Sequence, residues 1–139
     1  MNTDIGSLLF SFQGRINRAK YWLATVIYTA IVAVMIGAGY LFDFSSLFFA
    51  VFVVVCIALF ISGVAVGIKR LHDRDKSGWW LLLFYLVPGV FDGLDRVLGP
   101  NLIFNLVSLA ISLWMIVELG FLRGTSGPNR YGNDPLGVR

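Results

Sequence analysis

The chain has 139 residues, of which 58% are hydrophobic and only 14% are charged. Because soluble domains carry about 25% charged residues, this composition excludes a water-covered globular domain and indicates a membrane protein. The formal net charge of +3 is modest, so the positions of the basic residues matter more than their number. The single cysteine, Cys56, lies inside an apolar run and excludes an intramolecular disulfide.

The N-terminal segment, residues 1–20, mixes apolar and polar residues before the first long apolar run. Leu8, Leu9 and Phe10 are followed by Phe12 and then by basic residues. This mixture is typical of a segment that lies on the membrane surface. The run that follows is too long for a cleavable signal and has no small-residue cleavage site after it, so we expect it to be retained as a span.

Three apolar runs are long enough to cross the hydrocarbon core, which takes about 20 helical residues. They are residues 21–42, 47–68 and 102–122. A fourth run, 79–91, would cover only about 20 Å at ~1.5 Å per residue. Pro88 and the glycine after it would kink or stop a helix there. This run is therefore either a re-entrant segment or a short span.

The positions of the basic residues favour a short third span at 79–98. With four spans, ten basic residues fall on one side of the membrane and only Arg96 falls on the other. The ten are Arg15, Arg18, Lys20, Lys69, Arg70, Arg74, Lys76, Arg123, Arg130 and Arg139. Basic residues cluster on the cytoplasmic side of inserted helices. We therefore expect both termini in the cytoplasm.

The predicted fold class is an all-α integral membrane protein, a single membrane domain. It is a bundle of four transmembrane helices, with the third short and kinked at Pro88. The interfacial N-terminal segment precedes them, and a cytoplasmic, turn-rich tail follows at 123–139.

Small or polar residues recur on one face of three predicted spans. They are Thr29, Ala33 and Gly37; Gly63 and Gly67; and Asn105, Ser108 and Ser112. Such residues let transmembrane helices approach closely. Packing within one bundle and a homodimer face both remain open, as does a polar pore lining for the last stripe. Glu118 lies near the end of the last span, where Arg123 or another basic residue can neutralise it.

Three polar segments stand out between and beside the spans: "FSFQGRINRAKYW", "IKRLHDRDKSGWW" and "GTSGPNRYGNDP". Together they resemble the bacterial membrane protein family filed as domain of unknown function 805. That family pairs an F-x-G-R-x-x-R-x-x-Y-W opening with an R-x-L-H-D-x-x-x-S-G-W-W style loop and a tail like G-T-P-G-x-N-R-Y-G-x-D-P. The matching residues are Phe12, Gly14, Arg15, Arg18, Tyr21, Trp22, Arg70, Leu71, His72, Asp73, Ser77, Gly78, Trp79, Trp80, Gly124, Thr125, Gly127, Asn129, Arg130, Tyr131, Gly132, Asp134 and Pro135.

The resemblance covers nearly the whole chain and implies a bacterial inner-membrane protein, but it brings no reaction with it. The chain departs from the pattern at three positions. Lys69 stands where arginine is frequent, and Ser126 and Asn133 replace prolines.

The predicted topology puts all three segments on one face of the membrane, where they can meet. We expect Arg70 or Asp73 to lie within hydrogen-bonding distance of the N-terminal segment or the tail. Arginine forks suit carboxylates and phosphates. The candidate ligand-binding residues are Arg15, Arg18, Arg70, His72, Asp73, Asn129, Arg130 and Tyr131.

Two interpretations of this cluster remain open. In one, arginines and aspartates form a structural clasp that ties loop to tail. In the other, the arginines bind an anionic lipid headgroup, since each basic residue near the membrane contributes about 1 kcal/mol toward an anionic surface. The two differ in whether the arginines keep spare donors once the aspartates are paired.

Other chemistry has less support. His72 and Asp73 are adjacent, so they do not face each other on a helix, and no nucleophile is evident; no catalytic residue is assigned. One histidine, one cysteine within a span and scattered aspartates match no metal-ligand spacing, and no cofactor is expected. The basic residues lie against the membrane with acids between them, which disfavours nucleic acid.

The sequence thus predicts a small inner-membrane scaffold or binding module with an anionic membrane lipid as partner. The alternative is a membrane enzyme or carrier that acts on a phosphate-bearing lipid.

Reporter fusions test the predicted topology. A fusion after Arg139 should read cytoplasmic and a fusion near Gly93 should read periplasmic, because the basic residues are so unevenly divided. Paired reporters that are active on opposite sides of the membrane measure this. A cytoplasmic signal at Gly93 would contradict the four-span topology and restore the re-entrant segment.

Overall fold

The computed structural model describes residues 5–42 and 45–137. Asp43, which was expected in the first loop of the less basic side, and Arg139 lie outside the described residues. Within those residues the chain forms five α-helices and one π-helical turn. In chain order they are α1 (Ile5–Phe10), α2 (Arg18–Leu41), α3 (Ser46–Asp73), α4 (Trp80–Leu98), α5 (Leu102–Ile116) and the π-turn (Val117–Phe121).

Three helical stretches are long and apolar enough to cross a membrane. They are Arg18–Leu41, Ser46–Asp73 and Leu102–Phe121, which are 24, 28 and 20 residues long. Many of their apolar side chains are exposed, as Val34 and Leu47 illustrate. Since water disfavours a surface of this kind, lipid is the environment that it fits. The expected all-α membrane architecture is therefore confirmed.

Polar caps set where the long helices begin. The Asn17 side chain accepts a hydrogen bond from the Lys20 amide at 2.9 Å, at the start of α2. The Asn101 side chain accepts one from the Ile103 amide at 2.9 Å, at the start of α5. Each satisfies an amide in the first turn that has no partner within the helix.

Helix α3 ends in a Schellman-type turn. Asp75 adopts a left-handed φ of 55°. Its amide donates to the His72 carbonyl at 3.0 Å, and the Lys76 amide donates to the Leu71 carbonyl at 2.9 Å. These two bonds satisfy the last carbonyls of α3 and reverse the chain toward α4.

Helices α4 and α5 pack antiparallel. Near the start of α4, Phe84 meets Trp114 late in α5, with ring centroids 5.4 Å apart. Near its end, Phe91 meets Phe104 early in α5, at 5.6 Å. Pro88 lies inside α4, and its carbonyl accepts a hydrogen bond from the Ser108 hydroxyl at 3.3 Å. The residues expected to kink or stop this helix therefore lie within it.

One end of the bundle holds most of its buried core, and we call it the motif end. There α2 begins, and α3 and the π-turn end; the Trp22 indole donates to the Gly120 carbonyl at 3.0 Å. Two clusters of buried apolar residues lie there or close by. They are Leu8, Ile16, Ala24 and Val66, and Leu71, Leu81, Phe84 and Leu119.

The short helix α1 lies against α3. The Ser62 hydroxyl donates to the Leu9 carbonyl at 2.7 Å, and the Lys69 ammonium donates to the Ser7 carbonyl at 2.8 Å. These bonds tie the end of α1 to α3, in addition to the bond that the Ser7 carbonyl accepts from the Ser11 amide at 3.3 Å. They fix the N-terminal segment beside the last turns of α3.

The close approach of α2 and the π-turn predicts the effect of Gly120→Ala. A Cβ atom at this position would lie 2.8 Å from the Trp22 ring, which the indole hydrogen bond holds in place. Overpacking of this kind typically costs about 1–3 kcal/mol, so the Tm in detergent should fall. Gly63→Ala, where a Cβ would meet nothing within 4 Å, is the matched control and should leave Tm unchanged or raise it. Equal Tm values for the two variants would contradict this packing.

Candidate functional site

The centre of the motif end is a buried ionic cluster of Arg15, Arg70 and Asp73, here called the clasp. The Asp73 carboxylate accepts from Nε and Nη2 of Arg15 at 3.2 and 3.1 Å. Its other oxygen accepts from Nη1 of Arg70. The expected contact between the loop after the second span and the N-terminal segment is therefore confirmed.

The clasp is almost fully desolvated. The side chains of Arg15, Arg70 and Asp73 are 1%, 0% and 4% exposed. Two guanidinium groups share one carboxylate, which leaves one positive charge in excess. A buried ion costs several kcal/mol unless partners satisfy it, so the remaining donors must find acceptors.

Arg15 directs its remaining donors at the tail. Its Nη1 donates to the carbonyls of Gly127 and Gly132 at 2.7 and 3.2 Å, and its Nη2 donates to that of Thr125 at 2.6 Å. Because one guanidinium bonds Asp73 and three tail carbonyls, it fixes the tail against the end of α3.

Arg70 directs its remaining donors at the end of the last span. Its Nε donates to the Leu119 carbonyl at 2.7 Å, and its Nη2 donates to the Leu122 carbonyl. A cation is favourable where helix carbonyls lack partners. Arg70 therefore caps the π-turn from α3, and its donors, like those of Arg15, are used within the protein.

The tail makes further bonds to the end of α3. The Thr125 amide donates to the Asp73 carbonyl at 2.8 Å, and the Asn129 side chain donates to the His72 carbonyl at 2.9 Å. The Tyr131 ring stacks on the His72 ring with centroids 3.8 Å apart. Nδ1 of His72 lies 3.2 Å from the Gly14 carbonyl, and only a protonated nitrogen can donate to a carbonyl. His72, Asn129 and Tyr131 thus hold the tail in place.

The other two candidate arginines lie outside the clasp. Arg130 pairs with Asp75 at 3.2 Å, and its side chain is 61% exposed. Arg18 is exposed at the start of α2, where its Nη1 donates to the Phe121 carbonyl at 3.4 Å. The structure therefore brings Arg15, Arg70 and Asp73 together and leaves Arg18 and Arg130 at the surface.

A second ionic cluster, absent from the predicted site, holds the loop against the last span. The buried carboxylate of Glu118 pairs with Arg74 at 3.0 Å and with Lys76 at 2.9 Å. The Lys76 ammonium also lies 5.1 Å from the centre of the Trp80 ring, a cation–π contact. The expected basic partner of Glu118 is present, and it comes from the loop rather than from Arg123. The sequence signal for this second cluster was Glu118, an acidic residue at the end of an apolar span.

A cleft of about 280 Å³ opens beside the clasp, here called the Arg18–Arg123 cleft. It is lined by Asn17, Arg18, Arg70, Asp73, Arg123, Gly124, Thr125, Ser126, Asp134 and Leu136. Hydrogen bonds from the amides of Leu136 and Gly127 hold the pKa of the Asp134 carboxyl below its usual range, so it is ionised. Arg123 and Ser126 line the cleft, although neither is among the candidate ligand-binding residues that the sequence indicated.

Metal ligands do not cluster in the described part of the chain. Within residues 5–42 and 45–137, no three His, Cys, Asp or Glu side chains lie close enough to share an ion.

Apolar spans joined at one end by buried ionic clusters define a polytopic α-helical membrane protein. The chain belongs to the family described as protein of unknown function DUF805, whose sequence model matches residues 9–133. This match confirms the resemblance seen in the three polar segments.

Three relatives from Escherichia coli strain K12 cover most of the chain. The uncharacterized protein YiiR is 34% identical over 94% of this chain and 90% of its own length. The inner membrane protein YhaI is 37% identical over 89% of this chain and 85% of its own. The inner membrane protein YhaH is 29% identical over 89% and 86%. No solved structure matches the chain.

The burial of the clasp predicts a large effect for Asp73→Asn. The substitution leaves two buried guanidinium groups without a counter-charge, and breaking a buried pair from one side costs about 3–5 kcal/mol. The Tm in detergent should therefore fall sharply.

Asp75→Asn is the matched control for this substitution. Asp75 pairs with Arg130 at the surface, where an ion pair is worth about 0–1 kcal/mol, and asparagine tolerates its left-handed backbone. Equal losses of Tm in the two variants would show that the clasp does not stabilise the fold.

Proposed function

We propose that this protein is an inner-membrane binding module that holds the phosphate of an anionic lipid in the Arg18–Arg123 cleft. The motif end faces the cytoplasm, and the clasp is the rigid support of the cleft. In this proposal the chain crosses the membrane four times, and α4 is the short third span, bent at Pro88.

The arrangement of the helix ends supports four crossings. Helix α3 and the α5–π-turn stretch both end at the motif end, so the chain must return to the opposite end between them. Helix α4 is the segment that lies between them, and its contacts with α5 are antiparallel. Its 19 residues would cover about 28 Å at ~1.5 Å per residue, close to the hydrocarbon thickness.

The distribution of charge supports a cytoplasmic motif end. The basic residues of the N-terminal segment, the α3–α4 loop and the tail gather there, whereas Arg96 lies in the last turn of α4 at the opposite end. Basic residues accumulate on the cytoplasmic side. The names of YhaI and YhaH, both inner membrane proteins, support the same membrane for this chain.

The main support for the lipid site is a difference between two pairs of arginines. One pair has its N–H donors hydrogen-bonded within the protein, and the other pair has donors without such partners. The N–H groups of Arg15 and Arg70 donate hydrogen bonds to carbonyls of the protein itself. Among the described residues, by contrast, Arg18 makes one side-chain hydrogen bond and Arg123 makes none. Both line the cleft, so their free donors are available to an anion. A phosphate with two unesterified oxygens suits such guanidinium forks.

The surroundings of the cleft favour a lipid as the source of that phosphate. Arg18 bonds the Phe121 carbonyl, and the Phe121 ring meets the Trp22 ring edge-on at 5.7 Å. Both rings are exposed at the side of the bundle. Aromatic residues of this kind lie at headgroup level, so acyl chains can run down beside them.

The clasp and the proposed binding site are thus adjacent but have different roles. The structural interpretation applies to Arg15, Arg70 and Asp73, and the ligand interpretation applies to Arg18 and Arg123. The clasp residues orient the tail that forms one wall of the cleft, through Thr125.

Lipid bound to the purified protein tests this proposal. The double variant Arg18→Gln, Arg123→Gln should lose copurified anionic lipid in native mass spectrometry. At about 1 kcal/mol for each basic residue, binding should weaken by about 30-fold. Arg130→Gln is the matched control, because it removes an exposed arginine at the same end without touching the cleft. Equal anionic lipid on the double variant and the wild type would contradict the proposal.

A further inference from the structure

The Arg18–Arg123 cleft contains a carboxylate beside its arginines. Asp134 lines the cleft from the tail, and its two oxygens accept hydrogen bonds from the amides of Leu136 and Gly127 at 2.9 and 3.0 Å. These bonds fix the side chain and hold the pKa of its carboxyl below the usual range, so it is negatively charged. A carboxylate has about four lone-pair sites, so the two amides leave it able to accept further hydrogen bonds.

Asp134 differs from the other acid that lines this cleft. The Asp73 carboxylate is 4% exposed and is paired with Arg15 and Arg70. Asp134 is partly exposed, and in the described part of the chain no guanidinium or ammonium group lies within 4.0 Å of its carboxylate. Its remaining acceptor sites are therefore available to a ligand.

Ser126 adds a hydroxyl to the same lining. It is exposed, and its side chain makes no hydrogen bond with the other described residues. A hydroxyl can both donate and accept a hydrogen bond. Asp134 and Ser126 therefore offer the partners that an alcohol group needs, whereas the arginines of the cleft offer the donors that a phosphate needs.

We propose that the Arg18–Arg123 cleft selects an anionic phosphodiester lipid whose headgroup carries free hydroxyls, and that Asp134 recognises this headgroup. The inference rests on the function proposed above and names the class of lipid. Arg18 and Arg123 bind the phosphate, and a hydroxyl of the headgroup donates to the Asp134 carboxylate. A hydrogen bond to a charged acceptor is stronger than one between neutral groups, so this single residue suffices for selectivity.

Charge separates this class from two other classes of phospholipid. Three arginines and two aspartates are among the described residues that line the cleft, so a lipid with one negative charge neutralises the lining. A zwitterionic headgroup leaves the positive charge unbalanced. A phosphate monoester such as phosphatidic acid brings about −1.5 to −2 charges at neutral pH, and Asp134 repels the second charge. Phosphatidic acid also has no headgroup alcohol to donate.

The experiment measures which lipids the full chain retains. The protein is placed in discs of zwitterionic phosphatidylcholine that contain equal small amounts of phosphatidylglycerol, phosphatidic acid and phosphatidylethanolamine. Retained lipid is counted by native mass spectrometry after transfer to detergent. Phosphatidylglycerol, the hydroxyl-bearing phosphodiester, should be retained about tenfold over phosphatidic acid, the effect of one hydrogen bond to a charged group. It should also exceed phosphatidylethanolamine.

Asp134→Asn tests the residue that recognises the headgroup. The ratio of phosphatidylglycerol to phosphatidic acid should fall by about tenfold, because the charged acceptor and its repulsion of the monoester are both removed. A tail that is merely loosened would lose both lipids together, so the ratio separates recognition from a structural role. Asp75→Asn is the matched control, since Asp75 is an exposed acid that does not line the cleft, and its ratio should equal that of the wild type.

Ser126→Asp tests the same charge effect without removing any hydrogen bond that the described tail makes. It adds a second carboxylate at an exposed lining position. The ratio of phosphatidylglycerol to phosphatidic acid should rise, because the added charge repels the monoester more strongly than the phosphodiester. If Asp134→Asn retains neither lipid, an increased ratio in Ser126→Asp supports the inference and an unchanged ratio overturns it.

Equal retention of phosphatidylglycerol and phosphatidic acid by the wild type would overturn the assignment of the headgroup alone, because the cleft would still hold an anionic phosphate. More phosphatidylethanolamine than phosphatidylglycerol would overturn the inference too, as would a ratio that neither variant changes. The function proposed above fails instead if the wild type retains no anionic lipid above the phosphatidylcholine background, or if the double variant Arg18→Gln, Arg123→Gln retains as much as the wild type.

Discussion

The buried carboxylate of Asp73 is the group on which the motif end depends. It accepts hydrogen bonds from Arg15 and Arg70, and through them it joins the N-terminal segment, the end of α3, the last span and the tail. A buried carboxylate is stable only while such partners stay in place, so the geometry around it is closely fixed. Gly124 shows how closely: a Cβ atom there would overlap the Asp73 carboxylate. Glycine is required at position 124 because the backbone passes so close to the Asp73 carboxylate. The sequence indicated only that the tail is rich in turns, and it did not reveal this contact.

Backbone carbonyls accept the hydrogen bonds of the buried cations that the single Asp73 carboxylate does not accept. Arg15 bonds carbonyls of the tail, Arg70 bonds carbonyls at the end of the last span, and Lys69 bonds those of α1. These carbonyls lie at helix ends and turns, where an oxygen can accept a hydrogen bond from a side chain. The carbonyls thus accept the hydrogen bonds that the buried cations need. As a result, three segments that are far apart in sequence form one polar layer over the apolar spans.

The sequence predicted the coarse fold because hydropathy is a local property. The apolar runs and the family motifs are visible without the structure, and a contact of Arg70 or Asp73 with the N-terminal segment or the tail followed from the predicted topology. The partners of each arginine could not be predicted, because a carbonyl acceptor carries no residue signature. For the same reason the sequence treated Arg15 and Arg18 alike, although one is buried among carbonyls and the other is exposed. The pairing of Glu118 with Arg74 and Lys76 depends on the turn after α3, which has aspartate rather than glycine in its left-handed position.

The positions of the hydrogen-bond acceptors around residue 70 explain why arginine suits this position. Its guanidinium points Nε at Leu119, one terminal nitrogen at Asp73 and the other at Leu122. These acceptors lie in different directions around a flat group, and the fixed fork of a guanidinium reaches all three. A lysine at this position would place its donors on one compact nitrogen, and burial would favour its neutral form. Arginine stays charged when it is buried, so the excess positive charge of the clasp persists. That charge lies on the wall of the Arg18–Arg123 cleft, so the residue that holds the fold together also supports the anion-binding role that we propose for this cleft.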